Sequence, residues 1–127
     1  MDDHKFFVCT HCGNLVGMIH NAGVPIICCG EPMKELKANT SEGASEKHLP
    51  VIKTEGNKVT VEVGSTLHPM LEEHSIQWIY LQTKKGGQRK ALCAGEKPCA
   101  AFALDNDEPV AAFAYCNLHG LWKTELK

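Results

Sequence analysis

Two groups of residues in this chain have the chemistry of metal ligands, and they are spaced in different ways. "CTHCG" (9–13) and "CCG" (28–30) set out Cys9, Cys12, Cys28 and Cys29 as a Cys-x2-Cys pair followed, after an intervening stretch, by two adjacent cysteines. Four thiolates of this kind can surround one tetrahedral ion. Each pair is followed by glycine, Gly13 and Gly30, which lets the chain turn sharply so that amides point at sulfur. A segment as short as 1–36 buries too little apolar surface to hold itself together, whereas metal-binding free energy becomes folding free energy. A structural zinc ribbon and a pair of disulfides are the other readings. Adjacent Cys28 and Cys29 have poor geometry for bridging each other. Four sulfurs suit zinc and iron alike, so the sulfur count leaves the metal open. His11, inside the first pair, reads as a solvated loop residue.

The second group is scattered. Cys116 and His119 stand three apart in "CNLHG", His48 lies in "EKHLP", and His68 and His74 bracket "HPMLEEH". Each has an ordinary alternative as a surface or hydrogen-bonded side chain, and spacing alone does not decide between them. His4 and His20 have no ligand-like spacing at all.

The elements that must position these residues are mostly strands. "KVTVEV" (58–63) alternates Val59, Val61 and Val63 with polar residues, which is period two. "IQWIYLQT" (76–83) is rich in β-branched and aromatic residues, and "KKGG" (84–87) then gives a turn. "QRKALC", "AAFAL" and "VAAFAYC" follow, with "DNDEP" (105–109) as another turn. No helical period is sustained, so a β-sandwich is expected for residues 46–127. Polar "KANTSEGAS" (37–45) reads as a linker from the cysteine-rich segment 1–36. The 127 residues carry a formal charge of −2 with mixed signs, which argues against the basic face of a nucleic-acid binder. No stretch is long enough to span a membrane, and "MDDHKFFV" lacks a signal-peptide layout, so a cytoplasmic protein is expected. In that reducing setting, seven cysteines favour metal ligands or buried thiols over disulfides. Cys93 and Cys99 read as partly buried small hydrophobes, with a local disulfide as the lesser alternative.

"EKHLP", "HPMLEEHSIQWI" and "CNLHGLW", in that order behind the four-cysteine segment, resemble the desulfoferrodoxin family, the two-iron class of superoxide reductase. The resemblance covers nearly the whole chain. It implies a mainly β protein: a desulforedoxin- or rubredoxin-like metal module followed by an immunoglobulin-like β-sandwich. It implies two iron ions per chain. Cys9, Cys12, Cys28 and Cys29 match the first iron site; His48, His68, His74 and His119 match four equatorial nitrogens of the second, and Cys116 its axial sulfur. Glu46 and Lys47 match two charged residues beside an open sixth position. The implied reaction is one-electron reduction of superoxide to hydrogen peroxide, with electrons from a small carrier such as rubredoxin, in a homodimer. Read without the resemblance, a zinc-ribbon binding module or an electron-transfer protein would fit the first cysteines, and Glu46 and Lys47 would be a solvated loop pair.

Overall fold

A computed structural model describes residues 4–41, 43 and 45–126. Positions 42 and 44 of the expected linker lie outside the described residues, as do 1–3 and 127. The chain forms two compact units, Met1–Lys37 and Ala38–Lys127.

Unit 1 is built from short strands. β1 (Lys5–Val8) pairs antiparallel with β2 (Leu15–Met18) and β5 (Lys34–Glu35), while β3 (Ile27–Cys28) and β4 (Glu31–Pro32) form a separate hairpin. Among its described residues the buried apolar side chains are Phe6, Cys9 and Met33. Three such side chains cannot offset the ordering of so many residues, which is the physical case for a metal staple.

Unit 2 is a β-sandwich. A single turn of helix, α1 (Ser45–His48), leads into β6 (Pro50–Glu55), which pairs with β7 (Lys58–Val63). β8 (Ile76–Thr83), β9 (Gly86–Ala91), β10 (Cys99–Ala103), β11 (Pro109–Cys116) and β12 (Gly120–Glu125) complete it. The sheets run β10-β7-β6 and β12-β11-β8-β9. Val59, Val61 and Val63 are at most 1% exposed, as their alternation leads one to expect, and they meet Ile79 and Leu81 of β8 and Ala112 and Ala114 of β11 across the core.

The pairing gathers one end of the sandwich. Pro50 at the start of β6 sits opposite Val63 at the end of β7, and Cys116 at the end of β11 sits opposite Ile76 near the start of β8. His48 and His68 therefore lie beside one end of the β6–β7 pair, and His74 and His119 beside one end of the β8–β11 pair. Cys116 continues the inward row of Ala112 and Ala114, so its thiol faces the interior. The β8–β11 register also shifts between Tyr115 and Cys116, an irregularity of the kind that re-aims a side chain beside a site.

Two strands, β6 and β12, form in segments without a clear alternating signal. Cys93 is exposed, not partly buried as expected, because it stands in the loop after β9 with its amide bonded to Glu96. Cys99 is partly buried in β10, and neither is in a disulfide.

Candidate metal centres

In unit 1 the sulfurs of Cys9, Cys12, Cys28 and Cys29 lie within 4.8 Å of one another. Cys12 Sγ is 3.6 Å from Cys28 Sγ, which is contact without a bond. The Cys12 amide points at Cys9 Sγ at 3.5 Å, and the Asn14 side-chain amide at Cys28 Sγ at 3.7 Å. Gly13 (φ 82°) and Gly30 (φ 77°) take the left-handed backbone that makes these turns. The charges follow from the geometry. The Cys12 and His11 amides hold the Cys9 thiol down to about 6. Hydrogen bonds from Cys12 and Cys9 push Cys28 up, and push Cys29 up to about 12. One thiolate forms easily here; its neighbours resist further negative charge, and a cation at the centre would remove that resistance. His11 is exposed and pairs with Glu31 at 3.0 Å, in keeping with a loop residue.

In unit 2 the ligand atoms of His48, His68, His74 and Cys116 also lie within 4.8 Å of one another. Cys116 is 0% exposed, His48 3% and His68 2%. His68 Nδ1 donates to the Pro69 carbonyl at 2.7 Å, so its Nε2 is the bare nitrogen, and that nitrogen lies 3.1 Å from His48 Nε2. His119 stands at the edge of this group, its Nδ1 3.1 Å from His48 Nε2 and 3.8 Å from Cys116 Sγ. A neutral His48 can give its one ring proton to only one of these neighbours. His74 Nε2 is buried and has no hydrogen-bond partner. Nitrogen and sulfur lone pairs thus outnumber the protons available between them, and a borderline-soft cation is the missing partner. Burial lowers the His68 pKa to about 4, against the opposing pull of the Pro69 carbonyl. Burial likewise lowers His74, helped by His119. Both are neutral near pH 7, the state in which imidazole binds metal.

Glu46 and Lys47 sit on α1 just before His48, with exposed side chains. The Lys47 charge acts on His74 and depresses it, while Glu73 acts in the opposite sense. The backbone of α1 is clamped: the Glu46 carbonyl accepts from the Thr66 amide at 2.9 Å and the Ser65 hydroxyl at 3.3 Å. Gly64 (φ +88°) makes this approach available, since a Cβ there would lie 2.8 Å from the Glu46 oxygen and 2.3 Å from the Thr66 oxygen. Behind the ligands, the His119 carbonyl accepts from the Ser41 hydroxyl and from the Trp122 indole. Gly64, Asn117 and Trp122 have no ligand chemistry of their own and so do not stand out in the sequence. "CNLHGLW" contains two of them, yet nothing in a one-dimensional pattern says what they touch.

The pattern of known proteins agrees with this geometry. Residues 2–36 match the model of the desulfoferrodoxin N-terminal domain, and residues 40–125 match that of desulfoferrodoxin. The chain belongs to the desulfoferrodoxin family. Desulfoferrodoxin of Nitratidesulfovibrio vulgaris is 47% identical over 124 residues, covering 98% of each chain. Among solved structures, the superoxide reductase from Treponema pallidum superposes with a TM-score of 0.83 at 38% identity, covering 98% of this chain and 100% of that one. The one-iron superoxide reductase from Giardia intestinalis matches at a TM-score of 0.55 and 34% identity, covering 65% of this chain and 98% of its own. Family membership thus spans both units.

Proposed function

We propose that this protein is a superoxide reductase, adding one electron and two protons to superoxide to give hydrogen peroxide. The observation that carries the reading is the buried convergence of His48, His68, His74 and Cys116, with His119 beside them and His74 Nε2 left without a partner. Cys9, Cys12, Cys28 and Cys29 would hold one iron, and His48, His68, His74, His119 and Cys116 the other. Iron held by the second set would supply the electron and a place for superoxide to bind.

The remaining steps belong to the chain. Neutral imidazoles bind without adding charge. Cys116, fully buried, would bind that iron through sulfur and donate electron density to it, the lever known from thiolate-ligated haem. Lys47, a cation felt at His74, raises the local concentration of the superoxide anion and stabilises peroxide. Glu46, its neighbour on the same exposed turn, helps product leave the oxidised centre. Unit 1 serves as the four-sulfur iron domain and unit 2 as the catalytic one.

The finer setting is part of the same proposal. A rubredoxin-like carrier supplies electrons, and the protein removes superoxide in the cytoplasm, a compartment suited to seven cysteines of which none is in a disulfide. No helix among the described residues is long and apolar enough to cross a membrane. A homodimer would cover apolar surface that unit 1 exposes at Ile19, Val24 and Ile27.

The test is Cys116→Ser with metal analysis and a visible spectrum. The variant keeps some iron in the second site, loses the thiolate-to-iron absorption of its oxidised form and loses nearly all superoxide reduction. An active Cys116→Ser protein with an unshifted spectrum refutes the assignment.

A further inference from the structure

We infer that Asn117 is the residue that positions His74 against Cys116. Resting on the reading of the second centre given above, the inference adds a residue that works through a ligand without being one.

Asn117 follows Cys116 directly, and its hydrogen bonds converge on the two neighbours of His74. Its side-chain Oδ1 accepts from the Ser75 amide at 3.0 Å, and its Nδ2 donates to the Glu73 carbonyl at 3.0 Å. Its own amide donates to the Ser75 carbonyl at 3.2 Å. One residue therefore grips the main chain on both sides of His74, across 42 positions of sequence in the Ser75 bond. The local turn around His74 is closed by mutual backbone bonds with Leu71, at 2.9 and 3.2 Å. Those bonds shape the loop but do not tie it to β11. Asn117 does.

The need for such a tie follows from how the other ligands are held. Cys116 and His119 belong to one strand end and its turn, so their spacing is set locally. His68 has its ring oriented by the Pro69 carbonyl, and His48 stacks on Trp122 at 4.8 Å. His74 comes from a separate loop before β8, just where the β8–β11 register shifts. Without the clasp, the distance from His74 Nε2 to Cys116 Sγ would depend on that irregular end of the sheet.

The chemistry of the side chain is specific to this job. A carboxamide offers an acceptor and a donor side by side, matching the Ser75 N–H and the Glu73 C=O. Aspartate keeps the acceptor and loses the donor. Alanine loses both, leaving the partly buried Ser75 amide and the exposed Glu73 carbonyl to find water.

The experiment uses the full chain loaded with iron and compares wild type, Asn117→Ala and Asn117→Asp. Three quantities are read: amide exchange at Ser75, iron affinity of the second site by chelator competition, and the position of the thiolate-to-iron absorption band. In Asn117→Ala the Ser75 amide exchanges faster, and the second site binds iron about 10- to 100-fold more weakly, the usual cost of losing an outer-shell partner. The thiolate band shifts, and the four-sulfur spectrum stays as in wild type. Asn117→Asp retains Ser75 protection and falls between the two in affinity. The inference is overturned if Asn117→Ala folds with wild-type affinity and band position, or if it only lowers the unfolding temperature. Should Asn117→Ala not fold, Asn117→Asp decides: a shifted band with weaker affinity supports the inference, and wild-type values overturn it. A wild-type protein with no iron in the second site would instead refute the proposed function.

Discussion

The Trp122 indole lies against the His48 imidazole, ring centroids 4.8 Å apart and planes 25° from parallel, and its N–H reaches the His119 carbonyl at 3.1 Å. A single side chain thus supports two of the five proposed donors, His48 and His119, and it is itself only 3% exposed. Trp122→Ala removes that support and opens a cavity, with an expected loss of about 3–5 kcal/mol. Trp122→Phe keeps a ring against His48 but drops the N–H bond, at a cost of roughly 1 kcal/mol. Denaturant unfolding of the iron-loaded protein measures both. Iron retention in the second site should fall in the order wild type, Phe, Ala.

Gly64→Ala should damage the reaction from outside the ligand set. Its Cβ would lie 2.3 Å from the Thr66 oxygen and 2.8 Å from backbone atoms of Glu46 and Lys47. Those contacts are with backbone, so α1 must move, taking Glu46, Lys47 and His48 with it. The left-handed φ adds strain, for a total destabilisation of about 1–3 kcal/mol. The expected result is a folded protein with an intact four-sulfur spectrum and a reduced rate with superoxide. Wild-type kinetics in Gly64→Ala would show that α1 does not need its present seat.

What was legible in the sequence was chemistry and alternation. Cys9, Cys12, Cys28 and Cys29 stand out by their spacing, and β7 because Val59, Val61 and Val63 keep strict period two; His48, His68, His74, Cys116 and His119 come together only through the likeness of their flanking motifs to desulfoferrodoxin. β12 hid because Leu121 and Trp122 are adjacent and both buried, which breaks that alternation. β6 hid for a different reason: its second half, Lys53–Glu55, is exposed, and its strand state comes from pairing with β7. Asn117 and Gly64 act on residues brought near by folding, so no local pattern could mark them. Cys93 departs from the expectation of partial burial because, although thiols are usually buried, a loop after an edge strand places this one in solvent.

Cys9→Ser separates the two centres. Unit 1 has few buried side chains of its own, so losing one sulfur should bleach the four-sulfur iron and loosen that unit. Unit 2 carries a separate core and all five residues proposed for the second site. Superoxide reduction should remain largely intact when electrons are supplied chemically. Loss of activity with the second iron still loaded would show that the first centre is obligatory.

Lys47 offers the sharpest test of what the chain does beyond holding iron. Its charge is felt at His74, yet its side chain is exposed, so its effect on substrate must be electrostatic and open to salt. Lys47→Ala should lower the second-order rate constant of the reduced enzyme with superoxide by about tenfold or more, in line with steering by a local charge. The wild-type rate should fall as ionic strength rises, and the Lys47→Ala rate should fall less steeply. Stability and iron content should hardly change, because an exposed lysine contributes little to folding. Glu46→Ala should behave otherwise: superoxide still reacts fast, while the oxidised centre becomes more open to azide or cyanide. Pulse radiolysis at several salt concentrations measures these rates directly. Equal rates and equal salt slopes for wild type and Lys47→Ala would reduce the pair to a solvated turn and leave the five donors as the whole of the catalytic apparatus.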